Sequence, residues 1–159
     1  MIHEAASIMN RDEMIRPVDS LETTNLDEKN VIKHFLGLTQ LEATKMIVLG
    51  EPYPCTVYTE DLMWMSDEGF TYYFPSFVAA CQIVLYLKGE EYAEDLCSGV
   101  LTAVSFRADV NPDNILNNKK SVMELLRLLE SETDELIDDY QRDKLVTIKK
   151  LGSSANCVE

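Results

Sequence analysis

Two histidines, four cysteines and 28 carboxylates are the residues of this chain best suited to chemistry. A histidine beside a thiol or carboxylate is the smallest nucleophile–base pair. His3 sits at the N-terminus, and His34 lies in a helical stretch next to Phe35. The chain has no Gly-x-Ser-x-Gly elbow and no papain-like or caspase-like surroundings at any cysteine. His34 therefore reads as an ordinary, partly exposed helix residue. An enzyme with a carboxylate- or His34-based site is the alternative reading, and the leading one assigns no catalytic residue.

Metal and cofactor chemistry find no pattern either. Cys55, Cys81, Cys97 and Cys157 form no CxxC pair, and no His-Glu-x-x-His occurs. Cys81 falls in an apolar run, where a free thiol behaves as a small hydrophobe. Reduced thiols and the lack of a signal-peptide pattern at Met1–Glu4 fit a cytoplasmic protein. Asp109-Val110-Asn111-Pro112-Asp113 starts like a calcium loop, yet its sixth position is Asn114 and its twelfth is Lys120. A calcium loop needs glycine and a bidentate glutamate there. The six glycines are scattered and cradle no phosphate. We expect no cofactor and no metal.

The carboxylates do show a pattern. Glu90, Glu91, Glu94 and Asp95 form one patch; Glu132, Asp134, Glu135, Asp138 and Asp139 form another. Each is either a solvated helix end or an acidic face for a basic partner. Tyr72 and Tyr73 are the aromatic candidates for such a contact, since tyrosine is enriched at interface hot spots. The formal charge of -14 argues against nucleic acid, whose phosphates are bound by Lys and Arg. It favours a basic protein partner steered in by long-range attraction. No membrane span is expected: the longest nearly apolar run, Phe74 to Leu87, is too short.

These candidates must be held by elements that a chain of 159 residues builds as one domain. Residues 1–24 read as an N-terminal arm, a helix stopped by Pro17 and then a linker. The globular domain spans 25–152, and 153–159 is a frayed tail. Asn25 caps a helix whose apolar stripe is Val31, Ile32, Phe35 and Leu36, with Gly37 as a left-handed end. Thr39-Gln40-Leu41-Glu42 is a capping box that opens a second helix to Gly50. The short link predicts an antiparallel helical hairpin. Glu51 to Thr59, with Pro52 and Pro54, reads as a surface loop.

Asp67-Glu68-Gly69 reads as a turn and Phe70 to Phe74 as an extended stretch. Phe74 precedes a proline, which disfavours the helical region. Pro75 then opens a helix to Lys88, ended by Gly89. Val100 to Phe106 alternates weakly, as a strand would. Ser121-Val122-Met123-Glu124 is a third capping box, opening a leucine-rich helix. A last helix carries Leu136, Ile137, Tyr140, Leu145, Ile148 and Leu151, and Gly152 ends it. The fold class is mainly α, with at most a small two- or three-stranded α+β element at Trp64–Phe74 and Val100–Phe106.

The segment Gly69-Phe70-Thr71-Tyr72-Tyr73-Phe74-Pro75-Ser76-Phe77-Val78 packs five aromatic residues into eight positions after Trp64. It resembles the signature of a bacterial family of uncharacterised proteins, similar to Gly-Phe-x-Phe-Tyr-Leu-Pro-Ala-Tyr-Met. Fainter similarity spans Phe35–Glu42 and the helix from Ser121. The chain departs at Phe74, Ser76, Phe77 and Val78, and lacks the Trp that often precedes the motif. The resemblance implies a bacterial origin and a domain type, and no site residues.

The leading functional expectation is a cytoplasmic protein-binding module without enzymatic activity. Its sharpest form is an immunity or antitoxin-type inhibitor of a basic partner such as a nuclease toxin. A third reading is a monomer–homodimer system, self-associating through the C-terminal leucine helices.

Overall fold

The computed structural model describes residues 26–87, 90–131 and 138–154. The arm at 1–24, the Asn25 cap and most of the 153–159 tail lie outside the described residues. Among those described there are eight helices and no strand. They are α1 Leu26–Phe35, α2 Gln40–Leu49, α3 Cys55–Trp64, α4 Asp67–Leu87, α5 Glu90–Val110, α6 Asp113–Asn117, α7 Lys119–Ser131 and α8 Asp139–Ser154. The mainly-α expectation holds, and the helices form one compact domain.

Both segments expected to be extended are helical. Phe70 to Phe74 belongs to α4, which runs through Gly69 and Pro75. Two local facts explain this. The Ser66 hydroxyl accepts from the Gly69 N–H at 2.9 Å, and Asp67 and Glu68 occupy the first turn. A capped N-terminus with acidic residues favours a helix. Phe70, Tyr73, Phe74, Phe77, Cys81 and Val84 then recur at helical spacing and are fully buried. A buried large apolar side chain contributes about 1.5–3 kcal/mol, so the set outweighs the ~3 kcal/mol of an internal proline. Pro75 is no helix start. By length and composition α4 could also cross a membrane, but half of that stretch is buried inside the fold.

Val100 to Phe106 lies inside α5, where Val100, Leu101, Ala103 and Val104 are buried. A helix enclosed on several sides looks continuous rather than periodic in sequence. The loop before α3 is shorter than expected, because Cys55, Tyr58, Thr59 and Leu62 already supply helical spacing.

The capping box at Thr39 is present: Thr39 Oγ1 accepts from the Glu42 N–H at 3.2 Å, and the Thr39 N–H donates to Glu42 Oε2 at 2.7 Å. Gly50 closes α2 in the left-handed region, and Gly37 also has positive φ. The hairpin expectation fails. α1 packs on α3 and α2 on α4. The Tyr73 hydroxyl holds the link between α1 and α2, hydrogen-bonded to Phe35 O (2.9 Å) and Leu38 O (2.6 Å). α7 begins at Lys119, ahead of Ser121. α8 continues past Gly152 to Ser154.

The core centres on Phe35, Tyr58, Tyr73, Phe70, Phe74 and Phe77. Leu125, Leu126 and Leu129 of α7 join it, so this leucine face is buried inside the fold.

Candidate protein-docking site

The site is built around Arg107, which sits near the C-terminus of α5 with 6% of its surface exposed. A buried guanidinium must satisfy its donors, and this one closes the corner between α3 and α4. Nη1 donates to Met63 O at 3.2 Å and to Met65 O. These are among the carbonyls that the end of α3 leaves without helical partners. Nη2 donates to Asp67 Oδ1 (3.1 Å) and Asn114 Oδ1 (2.8 Å), while the group lies 4.7 Å over the Phe70 ring. Arg107 thus places positive charge at one helix C-terminus, and Asp67 places negative charge at the next N-terminus. Asp67 also accepts from Asn111 Nδ2 (3.2 Å) and Asn114 Nδ2 (3.1 Å). The segment that resembled a calcium loop therefore forms the end of α5 and the start of α6, and its asparagines hold this corner.

Outside the corner lies a two-lobed groove. The larger lobe is a cavity of about 540 Å³ walled by Met63, Trp64, Phe106 and Val110, with Glu28, Asp67, Asn111 and Asp113 supplying polar groups. The smaller, about 230 Å³, is lined by Leu101, Thr102, Ser105, Asp109, Tyr140, Gln141 and Lys144. Met63 and Phe106 line both. Trp64 and Phe106 have centroids 5.7 Å apart. Val110 and Tyr140 are largely exposed, at 67% and 69%. Lys144 pairs with Asp109 at 3.7 Å.

The acidic candidates line neither lobe. Glu91, Glu94 and Asp95 are exposed on the first turns of α5, which Glu90 opens. Asp138 and Asp139 are exposed at the start of α8. Asp138 caps that helix: its Oδ1 accepts from the Gln141 N–H at 2.8 Å, and its own N–H donates to Gln141 Oε1 at 3.0 Å. The Gln141 amide also donates to Ser98 Oγ. Ser98 is one turn beyond Glu94 and Asp95, and Gln141 one turn beyond Asp138. Two clusters more than forty residues apart thus approach each other, beside the smaller lobe. Glu132, Asp134 and Glu135 lie outside the described residues.

The two tyrosines part company. Tyr73 is wholly buried and holds the α1–α2 link, so it offers no surface to a partner; burial pushes its phenol well above the usual range. Tyr72 is half-buried and lines a third, open cavity of about 510 Å³ with Gln40, Glu68, Thr71, Asn117 and Asp67, the last of which also lines the larger lobe.

His34 is not the exposed residue its sequence context suggests. Its side chain is 6% exposed, and Nδ1 lies 2.5 Å from Asp61 Oδ2. The Tyr53 ring covers it at 4.6 Å, and Tyr58 meets it edge-on at 5.8 Å. Burial pushes the Asp61 carboxyl up to about 6, against the opposing pull of His34. Neither residue lines any of the three cavities above, and the pair clasps α1 to α3.

Sequence reasoning missed Asp61, Asp67, Arg107, Asn111 and Asn114. A signal existed for two of them. Asp61 precedes Leu62-Met63-Trp64-Met65, and Arg107 ends the apolar stretch from Val100. A lone charge embedded in apolar sequence is a buried-charge candidate, because burial demands partners. No protein-family model, no curated protein and no solved structure matches the chain.

Proposed function

We propose that the protein is a binding module for a basic protein partner and performs no catalysis of its own. The observation that carries this reading is the acidic face formed where α8 is capped against α5. Glu91, Glu94, Asp95, Asp138 and Asp139 present exposed carboxylates there. The groove beside it offers Trp64, Phe106, Tyr140 and Met63, the residue types that concentrate in interface cores. The acidic field, part of a formal charge of -14, would speed encounter with a basic surface, and the aromatic groove would supply the short-range contact. The sharpest form is an immunity or antitoxin-type inhibitor that covers the basic active site of a nuclease toxin.

The test is capture of partners from the source cell, identification of the retained protein, and measurement of its affinity at low and high salt. A basic protein should be retained, with affinity falling as salt screens the face. The variant combining E91Q, E94Q, D95N, D138N and D139N should bind it more slowly. Retention indifferent to salt, together with an unaltered rate for that variant, would overturn the reading.

A further inference from the structure

We propose that the larger lobe of the groove is a seat for a guanidinium group, filled by an arginine of the basic partner. This rests on the binding-module reading and names the side chain that the site would select. A volume of about 540 Å³ falls within the ~300–1,000 Å³ range of binding cavities. Its walls are of two kinds. Trp64 and Phe106 present flat aromatic surface, and Met63 and Val110 present aliphatic surface. Glu28, Asp67 and Asp113 bring three carboxylates against the single guanidinium of Arg107, so the formal lining charge is 1 − 3 = −2.

An anion would find no favourable place there. The charge of Arg107 is directed at Met63 O, Met65 O, Asp67 and Asn114, and an incoming anion would face Asp113 and Glu28. A cation with an apolar stem fits both walls. The planar, weakly hydrated guanidinium stacks on aromatic faces and forms paired hydrogen bonds with carboxylates, whereas an ammonium is a compact and strongly hydrated charge. The protein already uses this chemistry one layer deeper, where Arg107 lies 4.7 Å over Phe70 and donates to Asp67.

Trp64 is the chain's one tryptophan and lines the lobe, so its fluorescence reports occupancy without a label. The probes are N-acetyl-arginine amide, the neutral isostere N-acetyl-citrulline amide, and N-acetyl-arginine with its carboxylate free. Arginine amide should change Trp64 emission saturably, with Kd on the order of 1 mM for a ligand of this size. Citrulline amide should cause no saturable change. N-acetyl-arginine, whose carboxylate meets the acidic rim, should bind more weakly than the amide, as expected for a seat that takes a peptide-borne side chain. D113N and E28Q, at two positions on the lobe's lining, should each weaken the amide at least threefold with an unchanged far-UV spectrum. An equal response to citrulline amide, no saturable response to arginine amide, or N-acetyl-arginine binding more tightly than the amide would overturn the proposal. The variant neutralised at the α5–α8 face should respond as the parent does. Failure at the lobe is therefore distinguishable from failure of the basic-partner reading, which the salt dependence decides.

Discussion

The groove depends on how closely α3 approaches α5, and Gly99 sets that distance. A Cβ at position 99 would stand 2.5 Å from Thr59 Oγ1, 2.9 Å from its Cβ and 3.0 Å from its Cγ2. Rotating Thr59 away would break its hydrogen bond to Thr56 O, made at 3.0 Å. Rotation would also leave the Cβ clash in place, since that atom moves only with the backbone. Gly99→Ala should therefore push the helices apart. Overpacking of this kind costs about 1–3 kcal/mol, and a contact against a backbone-fixed atom places it near the upper end. Replacing glycine inside a helix returns about 1 kcal/mol of propensity. The expected net loss is about 2 kcal/mol, or roughly 4–8 °C in Tm for a domain of this size. Circular dichroism at 222 nm during thermal and urea unfolding measures it. Trp64, at the end of α3, should report the displacement as a change in native-state emission. Thr59→Ala placed on G99A removes Oγ1 and Cγ2 but keeps Cβ, so it should recover part of the loss and give a favourable coupling energy of about 1 kcal/mol. A G99A protein as stable as the parent, with unchanged emission, would refute the close approach.

Asp61→Asn tests the buried clasp. Because the folded carboxyl is pushed up from its ordinary 3.8 to about 6, the folded state binds the proton more tightly than the unfolded one. The stability linked to this group is full below about pH 4 and lost as pH rises through 6, with each pH unit between those values worth about 1.4 kcal/mol. D61N keeps an acceptor for His34 without the charge, so it should be about 1–3 kcal/mol more stable than the parent at pH 8 and flatten the urea-unfolding profile between about pH 4 and 6.5; a less stable variant with an unchanged profile would refute this. Tyr73→Phe leaves the Phe35 and Leu38 carbonyls without the hydroxyl, and should cost about 1–3 kcal/mol in urea unfolding. A cost under half a kcal/mol would show that water replaces the phenol.

Local chemistry was the legible part of this fold. The Thr39–Glu42 box and the left-handed glycine at 37 depend on residues four or fewer positions apart, and each occurs in the structure. The misreading of α4 has one cause: a local breaker overruled by burial at long range. Gly69 and Pro75 argue against a helix on their own terms. The apolar spacing from Phe70 to Val84 continues through both, and six buried side chains along one helix decide the outcome. The same spacing converts Cys55–Thr59 from loop to helix, and encloses Val100–Val104 until no periodicity is visible in sequence.

The site was less legible, because its parts come from separate stretches that only folding assembles. The corner takes Met63, Met65 and Asp67 from one segment and Arg107, Asn111 and Asn114 from another, some forty residues later. Neither half carries a motif. A buried arginine whose charge is spent on helix-end carbonyls and one aspartate is a structural member, and its importance lies in what it frees. With the corner closed from inside, Trp64 and Phe106 can line an open lobe rather than fill the core. That explains why the chain's one tryptophan and an exposed valine sit beside carboxylates in a protein whose other large aromatics are mostly buried. The acidic faces would supply attraction to a basic partner in any orientation; the lobe beside Trp64 is what would make the attraction selective.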